Sequence, residues 1–162
     1  MKSIFLYIGL LFASFVTPEI SDVRAEYRAA ADNQEKAEKL YNELTTITET
    51  DDALLVAYKG ATATLMAKDA KVVKIKTTYF KEGKKLIEQA IAAVPENVEL
   101  RYIRLSVQEN APKIVRYKKE IPEDKQFILE NYTSIKDAET KQYIKGFVMQ
   151  STSFSDAEKE LF

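Results

Sequence analysis

Arg101, Arg104 and Gln108 fall at i, i+3 and i+7, a spacing that puts two guanidiniums and an amide on one face of a helix. Asn110 and Tyr117 follow, within a basic piece that also holds Lys113, Arg116, Lys118 and Lys119. Planar bidentate donors in a row can grip a carboxylate or a phosphate, so Arg101, Arg104, Gln108, Asn110 and Tyr117 are the candidate ligand-binding residues. The competing expectation, and the favoured one, is that they pair with Glu96, Glu99, Glu120, Glu123 or Asp124 and hold the turn and the basic loop in place. Catalysis has little else to draw on. The chain has no His and no Cys, which removes imidazole bases, Ser-His and Cys-His pairs, thiolate zinc sites and disulfides. Its carboxylates fall on outer helix faces or at caps, and no Gly-rich phosphate loop, metal-ligand spacing or nucleophile elbow occurs. No catalytic residue, metal or cofactor is expected.

A second charged feature is the run Lys68, Lys71, Lys74, Lys76, Lys81, Lys84 and Lys85, facing a largely acidic stretch from Glu35 to Asp52. It reads either as a solvated face answered by that stretch or as a surface for an acidic partner or anionic lipid head groups. A formal net charge of −1 gives no argument for nucleic acid.

The elements that must carry these residues are helical throughout. Only 4 Gly and 4 Pro occur in 162 residues, too few turn-formers for a barrel or sandwich of short strands. Apolar residues recur with helical period at Ala37, Leu40, Tyr41, Leu44 and Ile47, then at Leu54, Ala57, Tyr58, Ala61 and Leu65. A long helix is expected from Lys71 to Val94. Its apolar face is broad enough to be covered on two sides, although β-branched Val72, Val73, Ile75, Thr77 and Thr78 admit a short strand. Pro95-Glu96-Asn97 then turns the chain into a helix from Val98 to Glu109. Asp32 with Glu35, Thr50 or Asp51, Ser134 or Asp137, and Ser155 with Glu158 are the expected caps. Phe154, Leu161 and Phe162 are expected to dock the last helix. Tyr27, Tyr41, Tyr58, Tyr79, Tyr102 and Tyr143 lie on the stripes as core residues, with a minority free to line a groove.

Ahead of all this stands Met-Lys-Ser and the apolar run Ile4 to Val16, the pattern of a secretory signal peptide and too short to span a bilayer. The expected organisation is a signal at 1–17 and one helical domain at 18–162. Periplasmic or other exported localisation follows from that expectation.

The segment Gly83-Lys-Lys-Leu-Ile-Glu-Gln-Ala90-Ile-Ala-Ala-Val-Pro95 resembles the second helix and exit of a tetratricopeptide repeat, with Gly83, Ile87, Ala90 and Pro95 near that family's small, apolar, Ala and Pro positions. It departs from the family at Tyr58, where a small residue is wanted, and in lacking a recurrent 34-residue period. The stretch from Asp51 to Asn110 also resembles an uncharacterised family of exported bacterial helical proteins. The tetratricopeptide likeness implies an all-α fold of antiparallel helix pairs stacked as a right-handed array, and a non-catalytic module that binds a peptide or protein. The alternatives are a small anionic-ligand binder or enzyme using the Arg101/Arg104/Gln108 face, and membrane-surface association through the Lys68–Lys85 face.

Overall fold

The computed structural model describes residues 17–162; the expected signal segment at 1–17 lies outside them but for Thr17. The fold is all-α. Eight α-helices are found among the described residues: α1 (Ile20–Ala30), α2 (Gln34–Glu43), α3 (Ala53–Asp69), α4 (Val73–Ala93), α5 (Val98–Asn110), α6 (Ile121–Asn131), α7 (Ala138–Gln150) and α8 (Asp156–Lys159). Single 3₁₀ turns at Leu44–Thr46, Lys113–Val115 and Tyr132–Ser134 join some of them. The β-branched start of α4 is helical, because the apolar period runs on unbroken into Leu86, Ile87, Ala90 and Ile91, which bury against its neighbours.

Helix starts are set by short polar side chains that satisfy otherwise orphaned backbone N–H groups. Asn33 accepts from Lys36 N at 3.0 Å and starts α2, one residue after the expected Asp32. Asp52 accepts from Leu54 N at 2.9 Å and starts α3. The expected Asp51 instead closes the preceding turn, accepting from the backbone N–H and hydroxyl of Thr48. Asn97 and Asp137 cap α5 and α7, and Ser155 with Glu158 forms the expected capping box on α8.

The most extensive pairing is α3 against α4, and α1–α2, α2–α3, α4–α5 and α5–α6 also pack on each other. The odd-numbered helices also touch in series, α1 to α3, α3 to α5 and α5 to α7. In this arrangement α2 lies against α1 and α3, α4 against α3 and α5, and α6 against α5.

Helix α4 is covered by α3 and α5, as its broad stripe predicts, but α5 is the more completely buried helix. Every residue of α5 from Val98 to Gln108 is buried except Arg101, whereas Val72, Val73 and Ile75 at the start of α4 are 54%, 77% and 47% exposed. Length is the cause: α4 has 21 residues against 13 in α5, so its first two turns run past the helices that would cover them. At the chain end, Phe162 packs on Tyr132 and Phe154 with ring centroids 4.4 and 5.7 Å away, while Leu161 points into solvent.

Candidate functional site

The charged face of α5 is assembled as its spacing requires, and acidic side chains from α4, α6 and the α5–α6 loop meet it. Arg104 donates through Nε to Asp124 Oδ2 at 2.7 Å and through Nη2 to Asp124 Oδ1 at 2.6 Å, a bidentate fork. Its remaining Nη1 donates to Glu88 Oε2 at 2.9 Å. The other oxygen of Glu88 accepts from the Tyr117 hydroxyl at 2.7 Å. Arg101 donates to Glu123 at 2.7 Å and to Asp124 at 3.2 Å, its guanidinium 4.9 Å from the centroid of the Phe127 ring. Gln108 donates to Glu120 at 2.7 Å, and its Oε1 is buried without a partner among the described residues.

Tyr117 reaches this cluster because the α5–α6 loop doubles back over α4. Arg116 adopts the left-handed conformation, φ 50° and ψ 41°, and so re-aims the chain between the 3₁₀ turn and α6. Tyr117 then rests edge-on against Phe80 and under Lys84. Burial first, and the adjacent Glu88 carboxylate second, push its hydroxyl far above the ordinary tyrosine range. It therefore acts as a fixed donor. Asn110 stands apart, exposed, its amide bonded to Ser106 O.

Chemically, the arrangement places carboxylates where a ligand carboxylate or phosphate would sit. An incoming anion would have to displace Asp124 from two short bonds while leaving that fully buried side chain without its partner. Burial raises the Asp124 carboxyl, against the pull of Arg104 and Arg101, which is the desolvation cost that two guanidiniums offset. Of the acidic partners, Glu120, Glu123 and Asp124 are among those the sequence nominates. Glu88 was missed, although it lies one helical turn from Lys84 on the flank of the α4 stripe.

A second constellation was missed altogether. Arg24 of α1 donates to Glu99 of α5 at 2.6 and 2.8 Å, and the Tyr58 hydroxyl of α3 donates to Glu99 Oε1 at 2.8 Å. All three side chains are buried. Around them Tyr27 meets Tyr58 at 5.5 Å, Tyr102 meets Tyr143 at 5.2 Å, and Arg28 covers the Tyr143 ring at 4.8 Å. Thus all four odd-numbered long helices contribute to one aromatic centre, and Arg28 links the first of them to the last. Tyr27, Tyr58, Tyr102 and Tyr143 are core residues as their stripes predict, and the half-buried Tyr41 and Tyr79 pack edge-on with ring centroids 5.4 Å apart. The signal that could have found Arg24 is its place next to Val23 on the inner stripe of α1, where a charge requires a buried partner.

A shallow cleft of about 340 Å³ lies between the α2–α3 turn and α4, lined by Thr45, Ile47, Glu49, Lys59, Glu82 and Lys85 among others. Its charges are engaged: Lys59 caps Thr45 O and Ile47 O, Lys85 pairs with Glu49, and Glu82 accepts from Tyr41. No cluster of three or more acidic side chains suited to a metal ion occurs among the described residues, and no described helix is long and apolar enough to cross a membrane. Comparison with protein-family models, with curated proteins and with solved structures returns no match.

Proposed function

We propose that the chain is an exported, non-catalytic helical-repeat module that binds a peptide or protein through its outer surface. The observation that carries this reading is the fate of the buried polar side chains. Arg24, Glu99, Arg104 and Asp124 bond to one another in pairs and triads that tie helices together, rather than converging on an open cavity. The serial contact of α1, α3, α5 and α7, with α2, α4 and α6 against them, supports a stacked array of the tetratricopeptide kind. Because tyrosines fill the inner side of the odd-numbered layer, a partner would meet the exposed faces of the even-numbered helices. Export rests on the apolar run from Ile4 to Val16.

The test is site-specific photo-crosslinking in the producing cell, with the probe at exposed Lys36 of α2, Ala92 of α4 or Gln126 of α6, combined with fractionation. The reading expects one adduct of constant size from at least one face, competed away by unlabelled protein, and the chain in the exported fraction. Absence of any competed adduct, or retention in the cytosol, overturns it.

A further inference from the structure

The two ends of the helix array differ in charge, which the overall value of −1 conceals. The α1–α2, α3–α4 and α5–α6 connections and the end of α7 share one end: Lys68 bonds to Ala31 O, Tyr117 packs on Phe80, and Ser151 bonds to Glu109. Lys68, Lys71, Lys74, Lys76, Lys113, Arg116, Lys118 and Lys119 belong to that end, and Lys81 follows about midway along α4. Lys71, Lys74, Lys81, Lys113, Arg116 and Lys119 are exposed and have no ion pair among the described residues. Of the acidic groups there, Asp32 pairs with Lys68 and Glu109 bonds to Ser151 and Ser153 N, while Glu35 and Asp69 have no ion pair among the described residues. The opposite end carries Glu49, Asp51, Asp52, Glu96, Asp137 and Glu139, with Lys59, Lys85 and Lys136 among them and Glu49 paired to Lys85.

Among these cations stand bare aliphatic side chains. Val73 is 77% exposed on the overhanging start of α4 with Val72 and Ile75 beside it, and Ile114 is 87% exposed in the α5–α6 loop. No side chain caps α4, so the positive end of that helix also faces this way.

We propose that this basic end docks on an anionic lipid surface, with Val72, Val73, Ile75 and Ile114 entering the head-group layer. Three features favour lipid over an acidic protein. The cations are spread over two separate hairpins, which suits a laterally fluid array of charges. They are nearly all lysines, point charges rather than the bidentate forks that read a fixed carboxylate. The aliphatic tips need an apolar layer beneath the charges, which a bilayer interface supplies and an acidic protein face does not. The acidic opposite end would orient the molecule end-on. The exposed start of α4 belongs both to this surface and to the even-numbered faces invoked for partner binding, but crosslinking reads the one and vesicle flotation the other, so either reading can fail alone.

Flotation of the full chain with mixed phosphatidylglycerol–phosphatidylcholine vesicles, against pure phosphatidylcholine, tests it; the neutral vesicles report whatever the apolar N-terminal run contributes by itself. The expected result is stronger partition to anionic vesicles that weakens with salt. Lys71→Gln/Lys74→Gln/Lys113→Gln should cut that partition on the order of 100-fold, at roughly fivefold per lysine. Val73→Ser/Ile75→Ser should weaken it with the salt dependence kept, and Lys39→Gln/Lys136→Gln/Lys159→Gln should leave it unchanged. Unaltered helical circular dichroism confirms folding of each variant. Equal partition to the two vesicle types, or equal effects of the two lysine triples, overturns the proposal. So does retention on polyglutamate by a chain that ignores vesicles, which would assign the end to an acidic protein.

Discussion

Gly60 of α3 and Gly83 of α4 face each other so closely that a Cβ on Gly60 would lie 2.7 Å from the Gly83 carbonyl oxygen, and one on Gly83 would strike the Gly60 oxygen. Both obstacles are backbone, which no rotamer change can move aside. The pair therefore fixes the crossing of the two longest helices, and with it the overhang that exposes Val73 and Ile75.

Gly83→Ala should destabilise the fold by about 2 kcal/mol, because the helices must part to admit one methyl. That outweighs the gain of about 1 kcal/mol in helix propensity from replacing a mid-helix glycine. Gly146 of α7 is the control: nothing lies within 4 Å of its Cβ position, so Gly146→Ala should stabilise by about 1 kcal/mol. Urea unfolding of the two variants measures both, and the effects should have opposite signs.

Arg104→Ala strands Asp124, a wholly buried carboxylate, and should cost about 3–5 kcal/mol. Replacing both partners by apolar side chains, Arg104→Met with Asp124→Leu, should recover most of that loss, because the penalty belongs to the unpaired charge. A double-mutant cycle by chemical denaturation checks it. A single variant with wild-type stability would mean that the pair contributes nothing to holding α6 on α5.

How much of this was legible in the sequence follows from range. Helices and caps depend on residues within one or two turns, so the stripe of α2 and the small residue at Gly83 could be read directly. The shared face of Arg101, Arg104 and Gln108 was readable for the same reason. What was not readable depends on lengths and on pairing across the chain. The burial of α5 on all sides needed the registers of α4 and α6, and the Arg24–Glu99 pair joins residues 75 positions apart. Glu88 escaped notice because its partners, Arg104 and Tyr117, reach it only after the α5–α6 loop doubles back at Arg116.

The aromatic centre sets the alkaline limit of the fold. Burial raises Tyr27, Tyr58 and Tyr102, with neighbouring Glu99 and Tyr143 adding to the shift, and burial beside Glu82 pushes Tyr41 up to about 12. These groups stay neutral in the folded chain while the unfolded chain ionises near 10. Their contribution is complete below that value and is lost as pH rises above it. Tyrosinate absorbance should therefore appear mainly in one cooperative step that coincides with loss of helical circular dichroism. A smooth titration centred near 10 with the helices intact would contradict the buried arrangement.

The acid limit should begin at the chain end. Glu158 is held down at about 2, first by its bond to Lys125, then by the Ser155 N–H and hydroxyl of the capping box. The unfolded value of a glutamate lies near 4.3, so the folded chain gives up its proton more readily than the unfolded one. That contribution is present above about 4.3 and disappears as pH falls toward 2. Because α8 is only four residues long, it depends on this capping box, on the Lys125 tie and on the packing of Phe162 against Tyr132 and Phe154. Between pH 4 and 2, amide exchange at Asp156–Lys159 and the ring resonances of Phe162 should report release of α8 before the main helices melt. Glu158→Gln should bring that release to neutral pH while α3, α4 and α5 keep their protection. Simultaneous loss of protection in α8 and α5 would show that the terminal helix is locked into the global unfolding unit instead of being tied by Lys125 and Ser155.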